Sequence, residues 1–280
     1  MLNKIIAVLS AVATAITVIF TELSGRGAAL IWLCPLLLIG YFVVLTIVCV
    51  ALLYFGTELT INLNKPNDVP NKFWSRVLEI LPEWLCFYGR VKMHVSGLEK
   101  LPEGRFLMVC NHRSYFDPIV KLPIFKDIGM TYVSKPQNFK IPVGGKLMHA
   151  YGCLSLNRDN NREALLTIKR GAEIIASDRA SVCIYPEGTR SQKPELLPFH
   201  AGSFKIAQKA SCPLVVTTLH GTDKVERNFP FRSTDVYVDV TEVFDTEFVK
   251  SHKSHELAEL ARNIVQDKYN EFEKKEQSGC

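Results

Sequence analysis

At 280 residues the chain has room for one catalytic domain and a small accessory segment. Hydrophobic residues make up 48% of it, concentrated in the first 55 positions, and the net charge is only +5. Eight cysteines (34, 49, 86, 110, 153, 183, 212 and 280) stand singly, with no C-x-x-C pair and no histidine cluster, so a metal-ligand framework is excluded and no metal is expected. They read as buried free thiols of a reducing compartment, and Cys280 lacks the following residues of a prenylation box.

In chain order, the first element is the uncharged run Ile5–Phe20, interrupted by Thr21, Glu22, Gly25, Arg26 and Gly27. A longer uncharged run follows from Ala28 to Phe55. A spanning helix needs about 20 such residues, so the second run suffices and the first is marginal, with a cleaved signal peptide as its alternative. The pair is expected to form a helical hairpin, spanning or deeply embedded, over residues 1–60, with Pro35 kinking its second arm. Lys4 precedes the hairpin, Lys65, Lys72 and Arg76 follow it, and the short connection has Arg26 alone. By the positive-inside rule both ends face the cytoplasm, which puts the larger domain on the cytoplasmic face of the cell membrane.

Residues 61–90 form a polar linker with Pro66 and Pro70, then an aromatic and basic stretch, Phe73 to Tyr88, read as an interfacial amphipathic helix or one packed on the domain. From residue 91 to 280 short apolar runs alternate with helical stretches, the pattern of an α/β fold. Strands are predicted at 106–110, 130–133, 181–185, 213–218 and near 236–240, and helices at 162–177 and 203–210. Leu257, Leu260, Ala261, Ile264, Val265 and Phe272 form the packing stripe of a C-terminal helix. Between Glu103 and Lys209 there are 16 Lys/Arg against 9 Asp/Glu, a surplus suited to an anionic ligand or membrane surface, or simply a solvated face.

Two strand ends carry the chemistry. After the first comes Asn111-His112-Arg113-Ser114-Tyr115-Phe116-Asp117-Pro118. A neutral imidazole can take a proton from a hydroxyl, and a carboxylate on its other nitrogen would fix the tautomer. Five residues on a helix rotate about 500°, so His112 and Asp117 meet only if the histidine lies in the turn and Asp117 opens the helix. Asp117-Pro118 fits an N-cap followed by a first-turn proline. The other end is Pro186-Glu187-Gly188-Thr189-Arg190-Ser191. Its glycine allows close backbone approach, Arg190 offers a fork for phosphate, Thr189 and Ser191 offer hydroxyls, and Glu187 could orient Arg190 or hold a glycerol hydroxyl.

Together, Asn-His-x-Ser-x-x-Asp at 111–117 and Pro-Glu-Gly-Thr-Arg at 186–190 resemble the glycerolipid acyltransferase family, most nearly its bacterial 1-acyl-glycerol-3-phosphate acyltransferases. The likeness runs from Met93 to Thr222. It implies an α/β sheet with flanking helices that carries the active site, preceded by the N-terminal hydrophobic hairpin. It also implies His112 as general base, Asp117 as its partner, and Glu187, Gly188, Thr189 and Arg190 in acceptor binding, with Asn111 and Ser114 of the first motif. Gly152 to Arg158 is similar to a third family block, which makes Arg158 a phosphate ligand although Asn157 replaces the usual acid. Lys135 stands where the family often has a lysine.

The expected reaction moves a fatty-acyl group from acyl-CoA or acyl-carrier protein to the free hydroxyl of lysophosphatidic acid, giving phosphatidic acid, without a covalent enzyme intermediate and without a cofactor. Expected partners are membrane lipids and these substrates, and no nucleic acid. The alternatives are an acyltransferase for another lysolipid or glycerol-3-phosphate, and a non-catalytic membrane protein that binds acidic lipids.

Overall fold

The two apolar runs are helices, α1 (Leu2–Leu23) and α2 (Cys34–Thr60), each uncharged through its middle and largely exposed along its length. At 1.5 Å per residue they are about 33 and 40 Å long, enough to cross a hydrocarbon layer of about 30 Å. They pack on each other, and Thr17 Oγ1 lies 2.8 Å from Tyr41 Oη. A computed structural model describes residues 2–23, 33–65, 67, 70–191, 193 and 195–277, so most of the expected Glu22–Gly27 turn lies outside the described residues, as do Pro66 and Cys280. Pro35 does not kink α2. It sits in the first turn, where its missing N–H has no helical acceptor to lose.

Asn71 opens α3 (Lys72–Tyr88) by accepting the Trp74 N–H at 3.1 Å. One face of α3 joins the domain, with Trp74 packed beside Leu147 and Ala150, and Cys86 in the sheet's core. The opposite face leaves Phe73, Arg76 and Phe87 exposed. Trp74 also donates from Nε1 to Thr60 Oγ1, 2.9 Å away, which fixes the end of α2 against the domain.

Seven strands form one sheet in the order β1-β7-β6-β2-β5-β3-β4. They are β1 (Val91–Ser96), β2 (Leu107–Cys110), β3 (Met130–Ser134), β4 (Leu154–Ser155), β5 (Ser181–Ile184), β6 (Leu214–His220) and β7 (Thr234–Phe244). The five from β6 to β4 run parallel, and β7 is antiparallel to β6 with β1 alongside it. β2, β5 and β6 are buried on both faces, which is why they read as continuous apolar runs.

Alternate residues feed two cores. Leu107, Val109, Val182, Ile184, Leu214 and Val216 face α6 (Asn161–Ala176), α7 (Lys205–Ala210) and α10 (Ser254–Gln277). Phe106, Met108, Cys110, Cys183 and Val215 face α3 and α4 (Phe116–Ile124). The C-terminal stripe packs as its spacing predicts: Leu257, Ala261, Val265 and Phe272 are buried, and Leu257, Val265 and Phe272 each contribute about 1.5–3 kcal/mol.

The connections place the site. From β2 the chain runs through α4 to β3 on one side, while from β5 it runs through α7 back across β2 to β6 on the other. Between β2 and β5 the winding therefore reverses. In open α/β sheets the crevice beyond the carboxyl ends of two such strands is where ligands bind.

Candidate active site

Both motifs leave the sheet at this crevice, one after β2 and one after β5. His112 Nδ1 and Asp117 Oδ2 are 2.6 Å apart, with the carboxylate fully buried and the imidazole about one-fifth exposed. Among the described residues Nε2 has no hydrogen-bond partner, which leaves it as the open nitrogen of the ring. Asp117 is not the N-cap that its spacing predicts. It lies one residue inside α4, whose cap position is Tyr115, and its carboxylate turns back toward the loop. There Oδ2 accepts the N–H groups of Arg113 at 2.7 Å and Ser114 at 2.9 Å, so the aspartate shapes the turn that presents the histidine.

Thr222 completes the dyad. It opens α8 (Thr222–Asn228), directly after β6, and its buried hydroxyl donates to Asp117 Oδ1 at 2.5 Å. Sequence reading missed this residue, since 105 positions separate it from Asp117; the only signal is a Gly-Thr pair at the end of a parallel strand. T222V is expected to cost about 1–3 kcal/mol of stability by leaving a buried carboxylate oxygen unsatisfied. It should also lower the turnover number several-fold, and thermal unfolding beside initial rates checks both.

The other members of the first motif serve the frame. Asn111 is fully buried, and its amide makes two 2.8 Å bonds to the Leu219 backbone, joining the ends of β2 and β6. Ser114 is buried and its hydroxyl accepts the Phe116 N–H. The Asn111 amide is thus committed to the frame, while Ser114, having accepted the Phe116 N–H, keeps its own O–H as a donor.

Glu187 neither orients Arg190 nor opens toward the crevice. Its buried carboxylate accepts the His112 N–H on Oε1 at 2.7 Å and the Leu197 N–H on Oε2 at 3.0 Å. Burial raises its pKa, and these two bonds hold it partly in check. The glutamate thus fixes the backbone of the base from the neighbouring strand. Ser191, also expected to offer a hydroxyl, spends it on the carbonyls of Lys193 and Glu195.

Gly188 adopts φ +72°, and a Cβ there would sit 1.0 Å from Arg158 Nη1. The glycine is required twice, for the left-handed turn and for the guanidinium that covers it. Arg158 also donates from Nη2 to the Tyr185 carbonyl at 3.3 Å, and burial lowers its pKa. The Tyr185 ring stacks on His112 with centroids 4.4 Å apart. Arg190 lies over the Tyr115 ring, 3.6 Å from its centroid, which returns it to the first motif. Thr189 is exposed beside it. Lys135 is exposed on the turn after β3, one strand beyond β5 on the same edge of the sheet. His200 sits by Arg158, and burial together with that charge lowers its pKa.

The crevice therefore offers a supported imidazole beside two guanidiniums, the makings of a general base next to an anion site. Residues 92–219 match the family model described as Acyltransferase. The chain is 29% identical over 205 residues to the 1-acyl-sn-glycerol-3-phosphate acyltransferase of Saccharomyces cerevisiae, covering 69% of this chain and 67% of that one. It is 29% identical over 172 residues to the protein of that name from Escherichia coli K12, covering 61% and 69%. A chloroplastic relative from Brassica napus, also so named, is 37% identical over 145 residues, covering 50% of this chain and 41% of that one. The fold is shared with the crystal structure of the 1-acyl-sn-glycerophosphate (LPA) acyltransferase PlsC from Thermotoga maritima, at a TM-score of 0.59 and 22% identity over 80% of this chain and 88% of that one. The chain spans 41 to 69% of the length of these three curated relatives. The family likeness is thus carried by residues 92–219, the segment that holds both motifs.

Proposed function

We propose that the protein acylates the free hydroxyl of 1-acyl-glycerol-3-phosphate, forming phosphatidic acid, with an acyl thioester as donor. The observation that carries this reading is the His112–Asp117 pair at 2.6 Å, facing the same crevice as Arg158 and Arg190. Arg158 and Arg190 hold the acceptor phosphate. His112 Nε2 takes the proton of the free hydroxyl as its oxygen adds to the thioester carbonyl, and Asp117 stabilises the imidazolium that forms. The thiol then leaves. Names of the yeast and Escherichia coli relatives supply the acceptor, and acyl-CoA and acyl-carrier protein both fit as donors.

α1 and α2 hold the domain at a membrane, where lysolipid and product reside. Lys4 before the hairpin and Lys65, Lys72 and Arg76 after it put the basic residues at the same end, which favours the cytoplasmic face for the domain. The exposed Phe73, Arg76 and Phe87 face of α3 suits the headgroup layer.

The test is acyl transfer by membranes carrying the wild type or H112A, supplied with labelled lysophosphatidic acid and an acyl-CoA, then with an acyl-carrier-protein donor. Loss of positioned general-base catalysis is expected to lower kcat about 10²–10⁴-fold. Phosphatidic acid formed equally by both proteins, or by neither with any donor, would count against the reading.

A further inference from the structure

Behind the catalytic turn, on the α4 side of the sheet, lies a cluster that acyl transfer does not use. Lys121 of α4 is fully buried. Its Nζ stands 2.9 Å from Cys110 Sγ and 2.9 Å from Cys183 Sγ, and both cysteines are fully buried too. Cys110 ends β2 and Cys183 lies in β5, so the lysine bridges the two strands whose ends carry the motifs. Its other near neighbour is the Tyr185 ring, 5.1 Å from Nζ to the centroid, the ring that stacks on His112.

Among the described residues the hydrogen-bond partners of this ammonium are the two sulfurs, with no carboxylate. A buried cation without a counter-charge costs several kcal/mol, so a sulfur must balance it. Burial opposes ionisation of Cys183, but a hydrogen bond from Cys110 and the charge of Lys121 overcome it and bring its pKa down to about 6. Burial pushes Cys110 the other way. An ammonium 2.9 Å from a sulfur favours its thiolate, which is the oxidisable form.

Both Nζ–Sγ separations fall in the range of about 2.7–3.2 Å normal for N–H···O bonds, although sulfur is a much larger atom. A single small atom fits between nitrogen and sulfur at that distance. We propose that Lys121 and Cys183 are a redox modification site, joined covalently through one oxygen atom as a Nζ–O–Sγ link. Dioxygen is the oxidant; two molecules of hydrogen peroxide serve in its place, three waters then leaving. Counted from the neutral pair, the amine and the thiol each lose one hydrogen. One oxygen atom of dioxygen enters between nitrogen and sulfur, and the other leaves as water with the two hydrogens. Dioxygen is small and apolar, and reaches such a core through ordinary local opening. Two equivalents of a dithiol reductant, four electrons and four protons in all, restore the amine and the thiol and release the bridging oxygen as water.

The experiment is peptide mass spectrometry of the full-length protein, purified in detergent without reductant and exposed to air or hydrogen peroxide. The expected product joins the Lys121 and Cys183 peptides with a mass gain of one oxygen less two hydrogens, and disappears on treatment with dithiothreitol. K121M should give no such species. C183S should give none, while C110S, which leaves the Lys121–Cys183 pair in place, should still give the link. A Cys110–Cys183 disulfide in place of the link, or three unmodified side chains after peroxide, overturns the assignment.

Discussion

D117N is expected to lose most of its acyl-transfer activity while keeping its fold. The amide oxygen can still accept from His112 Nδ1, Arg113 N and Ser114 N, and the amide nitrogen can donate to the Thr222 hydroxyl after that group rotates. What disappears is the negative charge that stabilises the imidazolium as the hydroxyl proton is taken. The expected fall in kcat is on the order of 10²–10⁴, with KM for the acceptor nearly unchanged. D117A differs in kind, because it leaves the buried donors without an acceptor at about 1–3 kcal/mol each. Initial rates and thermal unfolding of the two variants separate charge from framework. D117N retaining more than a tenth of wild-type kcat would remove the dyad from the mechanism.

G188A is expected to act through Arg158. The new Cβ would lie 1.0 Å from Nη1 and 2.2 Å from Cζ, so the guanidinium must leave its place over the turn. The left-handed φ adds a backbone cost of about 1–2 kcal/mol for any residue with a Cβ. A displaced phosphate ligand forfeits a charged hydrogen bond worth about 1.5–3 kcal/mol, so acceptor KM should rise about tenfold to a hundredfold with a smaller change in kcat. Acceptor kinetics of G188A, R158A and the double variant make the comparison. Because both single changes remove the same guanidinium, their effects should overlap rather than add. Full additivity would show that Arg158 is not the route.

Much of this was legible in the sequence where burial is two-sided. β2, β5 and β6 carry uninterrupted apolar runs because neighbours cover both faces, and each motif follows directly on such a strand. β1 was not legible, since it lies at the sheet edge with Lys92, His94 and Ser96 mostly exposed. The contact between His112 and Asp117 was legible because five residues of local geometry decide it. The role of Glu187 was not, because 75 positions of folded chain bring its carboxylate to the His112 N–H. Asp117 looked like a cap because an Asp-Pro pair at a helix start usually is one, and here its carboxylate finds three donors in the turn instead. Lys121 reads as a surface lysine in a short helix until the two sulfurs on adjacent strands are placed around it.

Thr222 is the latest residue in the chain to touch the dyad, and the hairpin stands more than 160 positions ahead of it. During synthesis the apolar helices leave the ribosome first and can meet the bilayer while the aspartate still lacks one of its donors. An emerging chain therefore carries its anchor well before its histidine is fully supported. On the proposed function, catalytic competence then arrives with the protein already beside its lipid.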